Sequence, residues 1–326
     1  MTAPTETLAS LGESGVLGRI FPRLPAGQAT LLGPGDDAAI LAAADGRVVV
    51  TTDTMIHGPD FRLAWSTPHD LGWKATASNL ADVAAMGAQP TGLLVAVTAP
   101  AGTPVTVLEG IADGFRDACA ELAPGCGVVG GDLSVSPTLT LAVTAFGDLG
   151  GADAVLRSGA RPGDVVAISG ALGDAARGLR LLFAEGVDAD GEPDADRAAA
   201  LRARHPREIE AQLAPRPPIA DGPAARRAGA TAMLDVSDGL LLDAARIAAA
   251  SGVRIDLATA AVGDEVDLAG GEAHALLAAF PPAASPPAGF RVIGAVHTGE
   301  GVTVDGAPAE GRGGWDPYDD WDGHAG

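Results

Sequence analysis

The sequence predicts a mixed α/β (α+β) fold divided into two domains, on three observations. Short apolar runs rich in Val, Leu and Thr alternate with Ala-rich segments of helical periodicity. The 326 residues suit one large or two medium domains, and a 47% hydrophobic content allows a sizeable core. Near residue 150 the Gly-rich, strand-poor stretch "GDLGGADAVLRSGARPGD" interrupts the alternation, which sets a boundary between residues 1–150 and 151–326. With aromatics at 4%, the core must be mostly Ala, Val and Leu.

The elements follow in order. "RVVVTTDT" reads as a strand ending in Asp53. "STPHDLGWKATASNLADVAAMGA" carries the clearest helix signals: Thr67 fits the N-cap, Pro68 the first helical position and Asp70 the third, a pattern like a capping box. Gly87 fits the left-handed stop. At about 100° per residue, Trp73, Ala77, Leu80, Val83 and Ala84 share one face, and Lys74, Ser78, Asn79 and Asp82 fall on the opposite side. "TGLLVAVTAP" and "TLTLAVTAFGDL" read as strands, and "TPVTVLEGIADGFRDACAEL" as a helix starting near Thr103 or Thr106. Beyond the boundary come "DVVAISG" (strand), "GDAARGLRLLFAEG" (helix) and a polar insertion over residues 187–208. "ATAMLDVSDGLLLDAARIAAASG" then reads as strand, turn and helix, closed by Gly252. No internal repeat is visible.

Charge and composition exclude several functions. A net charge of −21 leaves no basic stripe to neutralise a phosphate backbone, which argues against nucleic-acid binding. A polyanionic substrate would have to be met through metal cations. Of the 21 basic residues, Lys74 is the one lysine. Cys119 and Cys126 match neither a zinc spacing nor a disulfide framework and suggest a reducing compartment. The N-terminal stretch has no basic start and no apolar centre, and no run of 18 apolar residues exists, so no signal peptide and no membrane span are expected. The expected location is the cytoplasm.

Candidate chemistry lies in the carboxylates. Asp36 and Asp37 stand side by side in "GPGDDAAIL", Asp53 in "TTDT", Asp132 in "VVGGDL", and Asp235 and Asp238 in "DVSDGL"; Asp82 joins them from the polar helix face. Two adjacent carboxylates about 4 Å apart repel by roughly 4 kcal/mol at an effective dielectric of about 20. A single Asp in a turn is most often structural. Several of these, however, sit directly against Gly or Ser, where backbone can approach a phosphate. Oxygen ligands without His or Cys suit Mg²⁺, held by a few carboxylates plus substrate phosphates. No P-loop, protein-kinase signature or nucleophile elbow is present.

The segments "GPGDDAAIL", "TTDT", "WKATASNLADVAAMGA", "GGD", "RSGARPGD", "DVSDGL" and "GGE", in that order, resemble the thiamine-monophosphate kinase family. That family shares a superfamily with aminoimidazole ribonucleotide synthetase and selenophosphate synthetase. The match runs from about Gly33 to Trp315. The resemblance implies two α/β domains, with a homodimer built on the N-terminal sheets. It implies transfer of the γ-phosphoryl group of ATP to thiamine phosphate, assisted by several Mg²⁺ ions. By motif, Asp37, Thr51, Thr52, Asp53, Asp82, Asp132, Asp235 and Asp238 would be metal ligands, with Asp53, Asp82, Asp132 and Asp238 central to catalysis. Gly131, Asp132, Arg157 and Ser237 would contact ATP; Asp60, Glu272 and Trp315 would line the acceptor side.

Three departures fall on that acceptor side. "GPDF" stands where the family has G-x-H-F, so Asp60 replaces a His. "GGEAHALL" stands for GGEDYEL, so Ala273, His274 and Ala275 replace acidic and aromatic positions. "WDPYDDW" stands for WDHF. The metal and ATP motifs are intact. Two alternatives share them: a superfamily phosphotransferase with a different acceptor, and a nucleotide-binding protein without catalysis.

Overall fold

The structure is a computed structural model that describes residues 5–34, 38–309 and 313–314. Helix α1 (Leu8–Ile20), capped by Thr7 and kinked at Gly12, precedes an antiparallel pair, β1 (Thr30–Leu32) and β2 (Ile40–Leu41). Next come β3 (Val49–Ile56), helix α2 (Pro68–Ala85), β4 (Gln89–Ala99), helix α3 (Val105–Leu122), β5 (Val128–Val135) and β6 (Thr140–Asp148). The four strands form one sheet in the order β3-β6-β4-β5, with β4 and β5 parallel and the other pairs antiparallel.

The capping box on α2 is present: Thr67 Oγ1 accepts the Asp70 N–H at 3.1 Å and the Asp70 carboxylate accepts the Thr67 N–H at 2.9 Å. Gly87 takes the left-handed conformation just past the helix, at φ 73°. Helix α3 starts at Val105, between Thr103 and Thr106 as expected; Pro104 precedes it and no side chain caps it.

One strand expectation is corrected. β3 does not end at Asp53 but runs on to Ile56, so Asp53 lies inside the strand, opposite Val143. Asp132 likewise lies inside β5, opposite Ala96.

Alternation along these strands gives the sheet two unlike faces. One carries Thr51, Asp53, Val95 and Val143 towards the helices. The other carries Val50, Thr52, Leu94 and Thr144, the last two lining an open trough of about 650 Å³. Val50 and Leu94 are 58% and 36% exposed, so this trough face carries uncovered apolar side chains among the described residues.

The second half is built on a seven-stranded sheet in the order β13-β12-β9-β11-β7-β10-β8. In chain order its elements are β7 (Val165–Ser169), α4 (Asp174–Glu185), α5 (Ala195–Arg204), α6 (Pro206–Leu213), α7 (Asp221–Arg227), β8 (Ala232–Val236) and α8 (Leu240–Ser251). They continue with β9 (Arg254–Leu257), α9 (Thr259–Val262), α10 (Glu265–Ala269), β10 (Ala275–Phe280), β11 (Phe290–His297), β12 (Gly301–Val304) and β13 (Ala307–Pro308). β9 and β12 are parallel; the remaining neighbours are antiparallel. β10 is buried along its whole length, as an Ala/Leu-rich run with no polar alternation should be. Gly252 closes α8 in the left-handed conformation, as expected. Among the described residues no helix is long and apolar enough to cross a membrane.

The two halves meet on α2. Its apolar side packs on the first sheet and α3, and one core cluster joins Leu71, Leu80 and Val83 to Met233, Leu276, Ala278 and Phe280 of the second half. Its polar side is therefore not a solvated face: Lys74 and Asn79 are buried too. The insertion over 187–208 supplies α5, whose Arg202 forks onto the Asp70 carboxylate at 2.8 and 3.0 Å.

Glycine permits these close helix contacts. A Cβ on Gly72 would stand 2.0 Å from the Ile111 carbonyl oxygen, and one on Gly114 2.2 Å from that of His69. Gly72→Ala should therefore destabilise by about 1–3 kcal/mol, although alanine is the better helix former by about 1 kcal/mol. Gly18→Ala, in open space on α1, should stabilise instead. Urea unfolding of the two variants, read against the parent, checks the contrast.

Candidate active site

β3 and α2 bring the first group together. Thr51 Oγ1 donates to the Asp82 carboxylate at 2.8 Å, across the face that β3 turns to the helix. Asp53 emerges from the same face two residues on. Thr52 points the opposite way, donating to the Val143 carbonyl at 3.0 Å and accepting from Thr144 Oγ1 at 3.1 Å. Asp235 enters from the end of β8 in the second half.

These three carboxylates feel one another. Burial, then the charges of Asp235 and Asp53, push the Asp82 carboxyl up to about 7, against the opposing pull of Thr51 and His274. Asp53 is raised by burial and by Asp235, with His274 opposing. The site is short of positive charge. A hard cation is what a set of oxygen donors in this state would accept. Among the described residues no three carboxylate, imidazole or thiol groups are close enough to hold one ion by themselves. The remaining ligands of any cation would come from phosphate oxygens or water.

The turn after β8 is held from below. The buried Asp243 carboxylate accepts the N–H groups of Ser237, Asp238 and Gly239 at 3.1, 3.1 and 3.3 Å. Arg246 binds Asp243 and also the Asp238 carboxylate, the latter at 2.6 Å. Burial pushes Asp243 up to about 6, with Arg246 opposing and the Asp235 and Asp238 charges adding to the rise. Sequence reasoning missed Asp243 and Arg246. Their signal was present in "DGLLLDAARI": an Asp one turn into the helix that follows the loop, with an Arg three residues later.

The "GGEAH" loop closes the cleft from the other side. Lys74 Nζ lies 2.6 Å from Glu272 Oε2, an ion pair whose lysine end is buried. Burial alone would raise Glu272, but the charges of Lys74 and His274 hold it below its ordinary value. His274, buried, places Nδ1 3.4 Å from Asp235 and Nε2 3.3 Å from Ser78 Oγ. The Ser78 hydroxyl donates to the Lys74 carbonyl at 3.0 Å, so it can only accept from the ring. Burial would lower His274; its bond to Asp235 and the charges of Glu272 and Asp235 outweigh that and raise it.

Other expected residues stand apart. Asp53, Val143, Val95 and Gly131 form one row across the sheet, so Gly131 lies three strand spacings from Asp53, roughly 14 Å. Asp132 is one residue further and faces the trough with Thr52, its carboxylate accepting from Ser134 at 3.0 Å. In a single chain it does not join the Asp53–Asp82–Asp235 group. A Cβ on Gly131 would meet the Val95 carbonyl oxygen at 2.0 Å, so glycine is required there for packing alone. The Arg157 side chain is exposed, and its carbonyl accepts from Ser251. The Asp60 carboxylate accepts the Ile56 N–H at 2.7 Å; burial, foremost, raises it. Asp36, Asp37 and Trp315 lie outside the described residues.

Residues 35–149 match the family model described as AIR synthase related protein, N-terminal domain. The chain is 43% identical to the thiamine-monophosphate kinase of Mycobacterium tuberculosis (strain H37Rv) over 98% of its own length and 95% of that protein. The chain belongs to the thiamine-monophosphate kinase family. A solved structure of the family's member from Stenotrophomonas maltophilia shares 31% identity, with a TM-score of 0.74 over 91% of this chain and 96% of that one. A second, described as AaThiL complexed with AMPPCP and TMP, shares 31% identity at a TM-score of 0.69, over 95% and 99% of the two chains.

The carboxylate group predicts a pH dependence for the kinase-family fold free of divalent ions. Asp82 and Asp243 bind their protons more tightly folded than unfolded, so between about pH 4.5 and 7 the native state holds more protons. Stability should fall as pH rises through that window, by up to about 1.4 kcal/mol per pH unit for each proton difference. His274, raised above its ordinary value, acts with the same sign. Urea unfolding at pH 5 and 7.5 checks this, and Asp82→Asn should flatten the slope.

Proposed function

We propose that this chain transfers the γ-phosphoryl group of ATP to the phosphate of thiamine monophosphate, giving thiamine diphosphate and ADP. The observation that carries the reading is the group Asp53, Asp82 and Asp235, joined across the two halves and short of positive charge. It lies in a chain alike over nearly its full length to a structure described as complexed with AMPPCP and TMP.

Asp53, Asp82 and Asp235, with Asp37 and Asp238 by motif, would hold Mg²⁺ together with the nucleotide phosphates. The ions would supply charge neutralisation at the triphosphate. The attacking atom is already a phosphate oxygen, so no strong general base is required. The protein's task is to align donor and acceptor and keep water away. Arg157, unencumbered at the surface, and Ser237, in the turn held by Asp243, would contact ATP. Glu272 and Asp60 would border the acceptor.

The trough face is best explained by a second copy of the chain, which would cover Val50 and Leu94 and give Thr52 and Asp132 a partner surface. Sedimentation of the full chain as a monomer at micromolar concentration would overturn this. The join near residue 150 is our domain boundary. ATP, thiamine monophosphate and two free buried cysteines suit the cytoplasm.

The deciding experiment is conversion of thiamine monophosphate and Mg·ATP to thiamine diphosphate, followed by chromatography. Asp82→Asn should stay folded and lose at least about 100-fold in kcat, as loss of charge stabilisation at phosphoryl transfer predicts. Asp60→Asn keeps an acceptor for the Ile56 N–H while removing a negative charge near the incoming phosphate. It should lower KM for thiamine monophosphate and leave KM for ATP unchanged. Mg·ATP binding with no turnover of thiamine monophosphate at millimolar concentration would instead support a different acceptor.

A further inference from the structure

Glu272 and His274 are two of the three non-glycine residues with positive φ among the described residues, at 64° and 48°. Side chains with a Cβ avoid this conformation unless something imposes it. Here the backbone imposes it: the Glu272 N–H donates to the Ser237 carbonyl at 2.6 Å and the His274 N–H to the Val236 carbonyl at 2.7 Å. Both side chains then reach α2. Glu272 meets Lys74, and His274 meets Ser78 one helical turn further along. Asp82 is the next residue of the same row, one more turn on.

Each contact is specified by chemistry as well as by place. Lys74 is the one lysine in a chain whose other cations are arginines. Its compact ammonium on a flexible stem is buried at this contact. Its Nζ also lies 3.2 Å from the Gln212 amide oxygen once that amide is oriented to satisfy both of its ends. His274 is the one hydrogen-bonding side chain on the Asp235 carboxylate among the described residues. The orientation of Asp235 towards Asp82 and Asp53 is therefore fixed through the imidazole, and through Ser78 behind it.

We propose that Lys74 and His274 are positioning residues: they clasp the 272–274 loop to α2 at two points and so hold the Asp235 carboxylate opposite Asp82 and Asp53. The inference rests on the kinase reading only for what the carboxylates are held for. The clasp itself is a matter of geometry. It gives His274, which departs from the family pattern, a task that the departure alone does not suggest.

The test uses the full chain and Mn²⁺ alone as the probe, followed by loss of the free-ion electron paramagnetic resonance signal. His274→Leu fills space without a donor. His274→Asn tolerates the positive φ and can place an N–H on Asp235. His274→Leu should weaken Mn²⁺ binding at least tenfold and lower kcat, with KM for thiamine monophosphate within threefold of the parent. His274→Asn should return Mn²⁺ affinity to within threefold. Equal Mn²⁺ binding by parent and His274→Leu would overturn the proposal. So would equal losses in the Leu and Asn variants that track their melting temperatures, since packing alone would then explain them. A parent that binds no Mn²⁺ overturns it as well. For the first contact, Lys74→Met should lower the melting temperature more than Lys74→Met combined with Glu272→Gln. Simple addition of the two effects would remove Lys74 from the clasp. A parent that shows the expected Mn²⁺ pattern but no thiamine monophosphate turnover would refute the function and leave the clasp standing.

Discussion

Helix α2 has no solvated side, and that constraint organises the molecule. Its apolar side belongs to the first sheet, while in its polar row Lys74 and Ser78 meet Glu272 and His274 of the second half and Asp82 meets Thr51 of β3. A buried ammonium must be matched, because one left alone costs several kcal/mol. Glu272 is therefore as much a requirement of Lys74 as a ligand-site residue. The same holds at the helix start, where Asp70 both caps α2 and receives Arg202 from the insertion. The two halves are joined by polar pairs at one end of the helix and by apolar packing along its length. Their relative position is set to within a hydrogen bond rather than by a smooth greasy surface.

That precision explains how three carboxylates can share a cleft. Burial, and after it the charges of Asp235 and Asp53, displace Asp82 upward to about 7. The fold tolerates their mutual repulsion because the groups arrive on rigid elements: the middle of β3, the last turn of α2 and the end of β8. None of them can swing away without breaking a sheet register or a helix. The repulsion is thus held in the ligand-free protein as a demand for positive charge. Asp243 shows a second use of the same idea. It occupies the three N–H groups of the Ser237–Gly239 turn, and Arg246 offsets its charge, so the turn is shaped before any ligand arrives.

Much of this was legible in the sequence because it is local. Thr67, Pro68, Asp70 and Gly87 bracket α2 by chemistry that acts over four residues, and the structure has the same cap and stop. The strand–turn–helix at "DVSDGL" is equally local. What was not legible depends on register and partners. Asp53 reads as a strand end from the residues beside it, yet it and Asp132 both lie inside strands. Register then puts them on opposite faces of one sheet, a fact no neighbouring residue encodes. Thr51 and Thr52 were grouped as one motif, but the strand's twofold alternation turns only Thr51 towards Asp82. The polar face of α2 was visible as a pattern; that it is buried depends on residues some 200 positions away.

The "GGEAHALL" segment shows how a substitution that reads as loss can be a replacement. By motif, Ala273–His274–Ala275 discards acidic and aromatic contacts. In the fold, Ala275 is the first residue of the fully buried β10, pairing with Val236, where an acidic side chain would have to enter an apolar layer. His274 is the last position before that strand from which a side chain still reaches α2. Its backbone is strained by about 1–3 kcal/mol, as is that of Glu272, and the two N–H bonds to β8 and its turn must outweigh that cost. A strained loop is kept where its side chains are needed in one place. Here that place lies between Asp235 and Ser78, where an imidazole can bond in both directions and an alanine or a phenyl ring could not.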